Sequence, residues 1–355
     1  MDNIGIFVKT LSSGGAEKQA TLLAKVLTSN HTVHMILWSD VNCEDKYTKI
    51  LEKSNVKIHK LKGSFYEKFS KLRHLLSTAN ISILFSYLTF ANAVGALSAL
   101  RLRTKVVPGL RSSKLSFPKL LSDMAVCNFL TPVTVANSYC GKREFVRRGF
   151  SESHIEVIPN MLDSIPTFKP RQVSADGNVN VISVGRFVDA KDYPTAIRAV
   201  AEARKSVPNL RYKIVGYGEL EQNIRTWVKE YGIDDITDIF INPPHIDKLL
   251  SQSDIFLMSS VFEGTSNALL EAIGYGVPTI VTDVGDNAYI ISSSNNGMVF
   301  MPGDYLGMAD GIIKYASEPE LRNSTAENAY KCLKSNFSES VFKDAYEKLI
   351  LRLSE

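Results

Sequence analysis

Two carboxylates enclose a stretch of residues that suits the binding of a phosphorylated sugar. Glu263 and Glu271 are separated by a segment that begins Gly264-Thr265-Ser266-Asn267-Ala268, between a β-like run and a helix-like run. The exposed N–H groups at a helix N-terminus favour an anion such as phosphate. Carboxylates are strong acceptors for the hydroxyls of a sugar or a ribose. The structural alternative is a surface glutamate at position 271 and an ordinary helix cap.

A second polar segment follows another β-like run. Gly185-Arg186 comes directly after Val179 to Val184, and Lys191 follows five positions later. Arginine offers a rigid fork of donors and lysine a compact point charge, so the pair suits the oxygens of a diphosphate and could neutralise a departing anion. The alternative is that both side chains pair at the surface with Asp189 and Asp192.

A third candidate is the glycine turn after the first β-like run. Gly14-Gly15 lets the backbone approach a ligand, and the helix that follows directs its positive end towards it. Neither this turn nor Gly216-Tyr217-Gly218 completes the pattern G-x-G-x-x-G. A dinucleotide-dependent oxidoreductase is therefore disfavoured.

The elements that must position these residues alternate between β-like and helix-like runs. The chain has 355 residues, 45% of them hydrophobic and 22% charged, which is enough for two globular domains. No apolar run reaches the roughly 18 to 20 residues of a membrane-spanning helix. The alternation predicts an α/β protein with two doubly wound parallel sheets in tandem, and ligands of such sheets bind at the carboxyl ends of the strands.

The break in the alternation gives the domain organisation. Pro159 to Asn178 is rich in Pro, Ser, Asp and Gly and predicts a linker. We expect an N-terminal domain over residues 1–165 and a C-terminal domain over residues 166–335. The final helix, residues 336–355, is expected to pack back towards the N-terminal domain. The four cysteines lie far apart without CxxC spacing, which suggests neither a zinc site nor disulfides and favours a reducing cytoplasm.

The net charge of +4 is unevenly distributed. Residues 1–163 contain 22 Lys and Arg against 12 Asp and Glu, whereas the remainder contains 19 against 25. The basic clusters, such as Lys57 to Lys62 and Lys68 to Arg73, could attract an anionic membrane surface or simply form a solvated face. Nucleic acid is disfavoured as a partner, because no recognised binding motif accompanies the charge.

Taken together, the motifs resemble those of the GT-B glycosyltransferases, in particular the large retaining family known as family four. The resemblance covers nearly the whole chain, in the family's order. The matching segments are Gly14-Gly15-Ala16-Glu17, Ala136-Asn137-Ser138, Ile158 to Asp163, Val184-Gly185-Arg186 with Lys191, Ile214 to Gly218, Ser259-Ser260 before Glu263 and Glu271, and Gly274 to Pro278.

This resemblance implies a role for each matching residue. Arg186 and Lys191 would bind the donor diphosphate and stabilise it as it leaves, and Glu263 would contact hydroxyls of the transferred sugar. Glu271 would hold the ribose. The remaining donor-binding residues would be Gly14, Gly15, Gly185, Gly264, Thr265, Ser266, Asn267 and Ala268. Transfer would retain the anomeric configuration, with no metal and no cofactor besides the nucleotide diphosphate sugar.

One position departs from the family pattern. Many relatives carry a histidine near the strand written here Val106 to Ser113, where this chain has Arg111. Arg111 would contact a donor or acceptor phosphate, or would be an ordinary surface arginine. Tyr87 and Asn92, after the run Ile81 to Phe85, are candidates for the acceptor side.

The sequence thus predicts a cytoplasmic hexosyltransferase of cell-surface polysaccharide biosynthesis, able to associate peripherally with the inner face of the cell membrane. Its donor would be UDP- or GDP-linked and its acceptor a glycan, carried on a lipid or free. Two alternatives remain open: a nucleotide-sugar epimerase or phosphorylase of the same architecture, and a non-catalytic carbohydrate-binding protein.

Overall fold

The computed structural model describes residues 2–12, 14–41, 43–111, 115–170, 177–291 and 295–355. The chain divides into two compact units, unit 1 with residues 1–163 and 339–355 and unit 2 with residues 164–338. The divisions expected from the sequence lie at 165/166 and 335/336. Ser13, Ser112, Ser113 and part of the expected linker lie outside the described residues.

Unit 1 is built on a seven-stranded parallel sheet with the order β3-β2-β1-β4-β5-β6-β7. Its strands are β1 (Asn3–Val8), β2 (Thr32–Leu37), β3 (Lys57–Lys60), β4 (Ile81–Tyr87), β5 (Lys105–Leu110), β6 (Thr134–Ala136) and β7 (Ile155–Val157). Successive side chains of a strand point to opposite faces. Ile6 and Val8 therefore belong to one apolar core and Phe7 to the other.

Helices cover both faces of this sheet. They are α1 (Gly15–Leu27), α2 (Asp45–Lys53), α3 (Phe65–Thr78), α4 (Leu88–Ala99), α5 (Phe117–Ala125) and α6 (Tyr139–Arg147). A π-helical turn, Val126–Leu130, continues α5. The start of α3 is set by a capping box, in which the Ser64 hydroxyl accepts from the Glu67 N–H and the Glu67 carboxylate accepts from the Ser64 N–H.

Unit 2 repeats the arrangement with six parallel strands in the order β10-β9-β8-β11-β12-β13. Its strands are β8 (Val179–Val184), β9 (Leu210–Gly216), β10 (Thr237–Ile241), β11 (Ile255–Met258), β12 (Thr279–Thr282) and β13 (Met298–Phe300). Its helices are α7 (Tyr193–Arg204), α8 (Glu221–Glu230), α9 (Ile246–Ser251), α10 (Asn267–Gly274), α11 (Asn287–Ile291), α12 (Tyr305–Ser317) and α13 (Pro319–Asn336).

The last helix, α14 (Glu339–Ser354), belongs to unit 1. Its apolar stripe of Phe342, Tyr346, Leu349 and Leu353 is buried in the same core as Ile6 and Val8. The His31 imidazole contacts the Glu347 carboxylate at 2.8 Å and fixes the helix at its polar side. No helix within the described ranges is both long and apolar enough to cross a bilayer.

Both sheets have the strand order of a doubly wound fold, and the order reverses at one point in each. That point lies between β1 and β4 in unit 1 and between β8 and β11 in unit 2. A crevice opens outside the carboxyl ends of the strands at such a reversal, and ligands bind there. The predicted α/β class with two doubly wound parallel sheets is confirmed.

Strand β5 contains a proline, Pro108, and continues past it to Leu110. Proline has no N–H to give to a neighbouring strand. The ladder with β6 begins only at Gly109, so none of the recorded β5–β6 pairs involves Pro108.

Candidate functional site

The loop after β8 brings Lys191 back over the end of its own strand. The Gly185 N–H donates to the Val215 carbonyl at 2.9 Å and keeps the loop next to β9. A Cβ at position 185 would lie 3.0 Å from Cε of Lys191, so the glycine gives the lysine stem its room. The Tyr193 hydroxyl, at the start of α7, donates to the Gly185 carbonyl at 3.0 Å and joins the loop to that helix.

Lys191 and Glu263, predicted independently from two segments, form an ion pair. The Lys191 ammonium donates to Oε1 of Glu263. Only 18% of the lysine side chain and 12% of the glutamate side chain are exposed, so this pair is screened less than a surface ion pair. The pairing of Lys191 with Glu263 replaces the surface contact with Asp189 or Asp192 that the sequence also allowed.

The backbone around Lys191 is held in an unusual conformation. Asp192 has a φ of 46°, in the left-handed region that aspartate tolerates better than most residues. Its carboxylate accepts from the Thr195 hydroxyl at 2.7 Å. The Val261 N–H donates to the Ala190 carbonyl at 2.9 Å and joins this turn to the segment that follows β11.

Arg186 lies one residue beyond Gly185, at the same end of β8. Its side chain is exposed and has neither an ion pair nor a hydrogen bond to any other residue of the described part of the chain. An exposed, unpaired guanidinium at the reversal point of the sheet is a suitable group for an anionic oxygen.

A second loop, after β12, fixes the residues that follow Glu263. The Asp286 N–H donates to the Gly264 carbonyl at 3.1 Å, and the Asp286 carboxylate accepts from the Thr265 hydroxyl at 3.2 Å. Gly285 has a φ of +61°, and a Cβ there would lie 2.4 Å from the Gly264 carbonyl oxygen. Gly285 and Asp286 were not among the residues predicted from the sequence, although glycine and aspartate shortly after a buried strand are typical of a turn.

Helix α10 starts at this loop. Ser266 is its N-cap, with the hydroxyl accepting from the Leu269 N–H at 3.5 Å, and Asn267 and Ala268 open the helix. The positive end of the helix dipole therefore lies next to Gly264 and Thr265. Glu271 is half-buried on the second turn of α10. Burial, together with the charges of Asp247 and Glu271, raises the pKa of the Tyr275 hydroxyl.

In unit 1, Gly14 and Gly15 lie where the sequence analysis expected, at the start of α1 after β1. Gly14 is the N-cap residue, and a Cβ there would lie 2.1 Å from a carboxylate oxygen of Glu17. The Glu17 carboxylate thus lies against the glycine at the positive end of α1, and it also accepts from the Ser12 hydroxyl at 3.2 Å. An anion bound there requires Glu17 to move, because the two negative charges repel. The donor contact of Gly14 and Gly15 stays a prediction.

Arg111 and Tyr87 come together at the ends of β5 and β4. The guanidinium lies 4.5 Å from the centre of the Tyr87 ring, within the range of a cation–π contact. It also donates to Oδ1 of Asn160 and to the Tyr346 hydroxyl, each at 3.3 Å. Burial raises the pKa of the Tyr87 hydroxyl well above its usual value. Arg111 therefore connects β4, β5, the 158–163 segment and α14, and its contact with a phosphate stays a prediction.

Asn92 lies in a different cluster. Its side chain is fully buried, accepts from the Ser86 hydroxyl at 2.9 Å and donates to the Asp123 carboxylate at 3.1 Å. The Thr89 hydroxyl donates to the same carboxylate at 2.6 Å. Burial raises the pKa of Asp123, while these two hydrogen bonds oppose the rise. The contacts explain why Asn92 is held rigidly, and its acceptor-side role stays a prediction.

Family models match both units. Residues 13–164 match Glycosyltransferase Family 4, and residues 164–332 match Glycosyl transferases group 1.

Two bacterial glycosyltransferases illustrate what the chain is similar to, one over its whole length and one over about half. A bacterial N-acetylgalactosaminyltransferase of Campylobacter jejuni, named for an N-acetylgalactosamine-N,N'-diacetylbacillosaminyl-diphospho-undecaprenol substrate, is 24% identical over 99% of this chain and 100% of its own length. The lipopolysaccharide core biosynthesis glycosyltransferase LpsE of Rhizobium meliloti is 29% identical, over 48% of this chain and 49% of its own length. This second similarity therefore spans about half of each protein.

Solved structures show the same fold. The HepE protein of Anabaena in complex with UDP and glucose superimposes with a TM-score of 0.86 at 18% identity, over 99% of this chain and 100% of that one. The two family models together cover residues 13–332, so the chain belongs to the glycosyltransferases, with a Glycosyltransferase Family 4 domain followed by a Glycosyl transferases group 1 domain, and its two parallel sheets have the GT-B fold.

Proposed function

We propose that the chain is a retaining glycosyltransferase that moves a hexose from a UDP- or GDP-linked donor to a glycan acceptor in cell-surface polysaccharide biosynthesis. The observation that carries the proposal is the cluster at the reversal point of unit 2. There, Arg186 is unpaired at the end of β8, and Lys191 lies against Glu263 just beyond β11. A cation for a diphosphate and a carboxylate for sugar hydroxyls lie in contact there, and a second cation follows the same strand.

In the proposed reaction, the acceptor hydroxyl oxygen attacks C1 of the donor sugar on the face from which the diphosphate departs. The C1–O bond to the phosphate breaks, and a phosphate oxygen takes the proton of the attacking hydroxyl. Arg186 and Lys191 stabilise the negative charge that builds up on the diphosphate, which is where preorganised cations contribute most to the rate. Glu263 holds the transferred sugar and Glu271 the ribose hydroxyls.

The donor nucleotide sugar is the only small molecule that this proposal requires besides the acceptor. A divalent cation would serve to neutralise the leaving diphosphate, and Arg186 and Lys191 supply positive charge at the same place. We therefore propose a metal-independent reaction. Its test is the rate in the presence of a chelator, which should equal the rate with added Mg²⁺ or Mn²⁺.

We further propose that unit 1 serves the acceptor and that the acceptor is carried on a lipid. A relative named for a diphospho-undecaprenol substrate supports this choice. Unit 1 contains 25 Lys and Arg against 16 Asp and Glu, a net charge of +9, whereas unit 2 has 16 against 21. Phe117 on α5 and Phe129 in the π-helical turn are 71% and 81% exposed. Exposed aromatic rings on a basic unit suit the surface of an anionic membrane.

Removal of the cations tests the catalytic proposal. Arg186→Ala and Lys191→Ala should each lower kcat by roughly two orders of magnitude, because each removes stabilisation of charge that develops in the transition state. The assay measures UDP or GDP release from their sugars, with polyprenyl-diphosphate glycans as acceptors. The anomeric configuration of the product, read by NMR, tests retention.

Matched controls are the surface side chains Arg225 and Lys205, which pair with carboxylates on the same unit. Their alanine variants should keep wild-type turnover. Near-normal kcat in both Arg186→Ala and Lys191→Ala would refute the proposed leaving-group role. Conversion of the donor without an acceptor would point to an epimerase, and a requirement for inorganic phosphate would point to a phosphorylase.

A further inference from the structure

Two consecutive serines follow β11, and both hydroxyls contact the Lys191–Glu263 pair or its backbone. Ser259 is 3% exposed and Ser260 is fully buried. In the sequence, the two serines were noted only because they precede Glu263. The proposed reaction gives them no contact with a substrate. Their hydrogen bonds nevertheless reach both residues of one ion pair, because Ser259 bonds to the Lys191 backbone and Ser260 to the Glu263 carboxylate.

Ser259 contacts the lysine half through the backbone. Its hydroxyl lies 3.0 Å from the Lys191 carbonyl and 2.7 Å from the Asp192 carbonyl, so one donor is shared between two adjacent acceptors. Asp192 has left-handed backbone angles, which are unfavourable for a residue with a side chain. The hydrogen bonds from Ser259 therefore stabilise a backbone conformation at Asp192 that is unfavourable by itself.

Ser260 contacts the carboxylate half directly. Its hydroxyl donates to Oε1 of Glu263 at 2.7 Å, and this is the same oxygen that accepts from the Lys191 ammonium. A hydrogen bond to a charged carboxylate is shorter and stronger than one between neutral groups. The Ser260 carbonyl accepts in turn from the Thr282 hydroxyl on β12. Ser260 thus fixes the Glu263 carboxylate relative to β11, which precedes it in the chain, and to β12, which contains Thr282.

A buried serine usually bonds to some nearby backbone carbonyl, and such a bond alone indicates nothing about catalysis. Ser183 on β8 is an example in the same unit. Its hydroxyl lies 2.8 Å from the Tyr212 hydroxyl and 2.7 Å from the Leu257 carbonyl, inside the core. Ser259 and Ser260 differ because their partners are the lysine turn and the glutamate carboxylate.

We propose that Ser259 and Ser260 are positioning residues for sugar transfer, Ser259 for Lys191 and Ser260 for Glu263. This inference rests on the proposed function of the same site. Without the Ser259 hydroxyl the lysine turn relaxes, and the ammonium no longer meets the diphosphate at a fixed place. Without the Ser260 hydroxyl the Glu263 carboxylate rotates away from the position in which it meets the transferred sugar.

The first experiment needs no substrate. The acylation rate of Lys191 by an amine-reactive ester is measured in the unliganded protein by mass spectrometry, for wild type, Ser259→Ala, Ser260→Ala and Ser183→Ala. The ion pair protects the amine, so both test variants should react several-fold faster at Lys191 than wild type. Ser183→Ala loses buried hydrogen bonds of similar length and should react at the wild-type rate. Equal rates in all four proteins would overturn the proposal.

The second experiment is a pair of double-mutant cycles on kcat/KM. Ser260→Ala should lower kcat/KM roughly tenfold in the wild-type background and have little effect when Glu263 is already alanine. Ser259→Ala should behave in the same way towards Lys191→Ala. Independent, multiplicative losses would show a general structural role and would contradict the proposal, whereas rescue of Ser260→Ala activity by Ser260→Thr would support it.

The two experiments separate the inference from the function on which it rests. If the wild-type protein releases no nucleotide from UDP- or GDP-sugars, the proposed function fails, and the acylation rates still decide whether the serines hold the ion pair. If the wild-type protein is active but the cycles are multiplicative, the function stands and the positioning role fails.

Discussion

Gly285→Ala should disable the site through steric displacement rather than through loss of stability alone. The new Cβ would lie 2.4 Å from the Gly264 carbonyl oxygen and 2.8 Å from the Glu263 carbonyl oxygen. An ordinary contact needs about 3.4 Å, so the Glu263–Thr265 loop must move by about 1 Å, a displacement that can cost roughly 100-fold in rate. The left-handed φ of +61° adds about 1 kcal/mol or more of backbone strain.

Gly232→Ala is the matched control, because it separates these two effects. Gly232 has a φ of +64°, and no atom lies within 4 Å of a Cβ built there. Gly232→Ala should lose about 1 to 2 kcal/mol of stability in urea unfolding, since it places a side chain at a left-handed position, and Gly285→Ala should lose more because its Cβ also meets two backbone oxygens. Only Gly285→Ala should lose nucleotide release, by roughly two orders of magnitude in kcat/KM. Equal activity in the two variants would refute the steric account.

Two further predictions concern unit 1. Burial, with the charges of His59 and Lys57, lowers the pKa of His34 from 6.5 to about 4. The unfolded chain therefore takes up the proton first, and the free energy of unfolding should fall by about 2 kcal/mol from pH 7 to pH 5 through His34. Burial and the charge of Lys57 also lower the pKa of the neighbouring His59, which adds to the fall. The fall in urea unfolding should be smaller in His34→Gln than in the wild type, and an equal fall in both proteins would contradict this. Binding to anionic vesicles should weaken with added salt and in a Phe117→Ser/Phe129→Ser variant, but not in Leu351→Ser; equal binding to neutral vesicles would exclude docking by charge.

Much of the fold was predictable because the strands of a doubly wound sheet are short apolar runs separated by turn residues. Val179 to Val184 and Ile81 to Phe85 show this pattern clearly. Strand β3 does not: Lys57–Lys60 lies at the edge of its sheet, where lysines are tolerated, and its sequence was interpreted as a basic cluster. The cluster Lys68 to Arg73 lies on α3 for a similar reason, since one face of that helix is exposed.

The candidate site was predictable as far as its motifs are local in sequence. The segments around Arg186 and Glu263 each carried their own chemical signal. That Lys191 would contact Glu263 could not be derived from either segment, because the contact depends on β8 and β11 lying side by side. The contribution of Asp286 was hidden for the same reason, since its partner Thr265 is 21 positions away in the chain.

Unit 1 shows a different limit of sequence-based prediction. Arg111 and Tyr87 were chosen as candidates for separate reasons, and the structure stacks them and connects them to Tyr346 on the last helix. The tail of the chain gave no indication of this contact, because an apolar stripe predicts which face of a helix is buried but not which residues cover it. Buried polar contacts over such separations depend on the tertiary fold.

The central claim is that Arg186 and Lys191 bind the diphosphate of the donor. A crystal structure of the protein with bound UDP tests it most directly. The account predicts that the guanidinium of Arg186 and the ammonium of Lys191 lie within about 4 Å of the diphosphate oxygens, the distance of an ion pair. A diphosphate bound with both side chains pointing away from it would contradict the account.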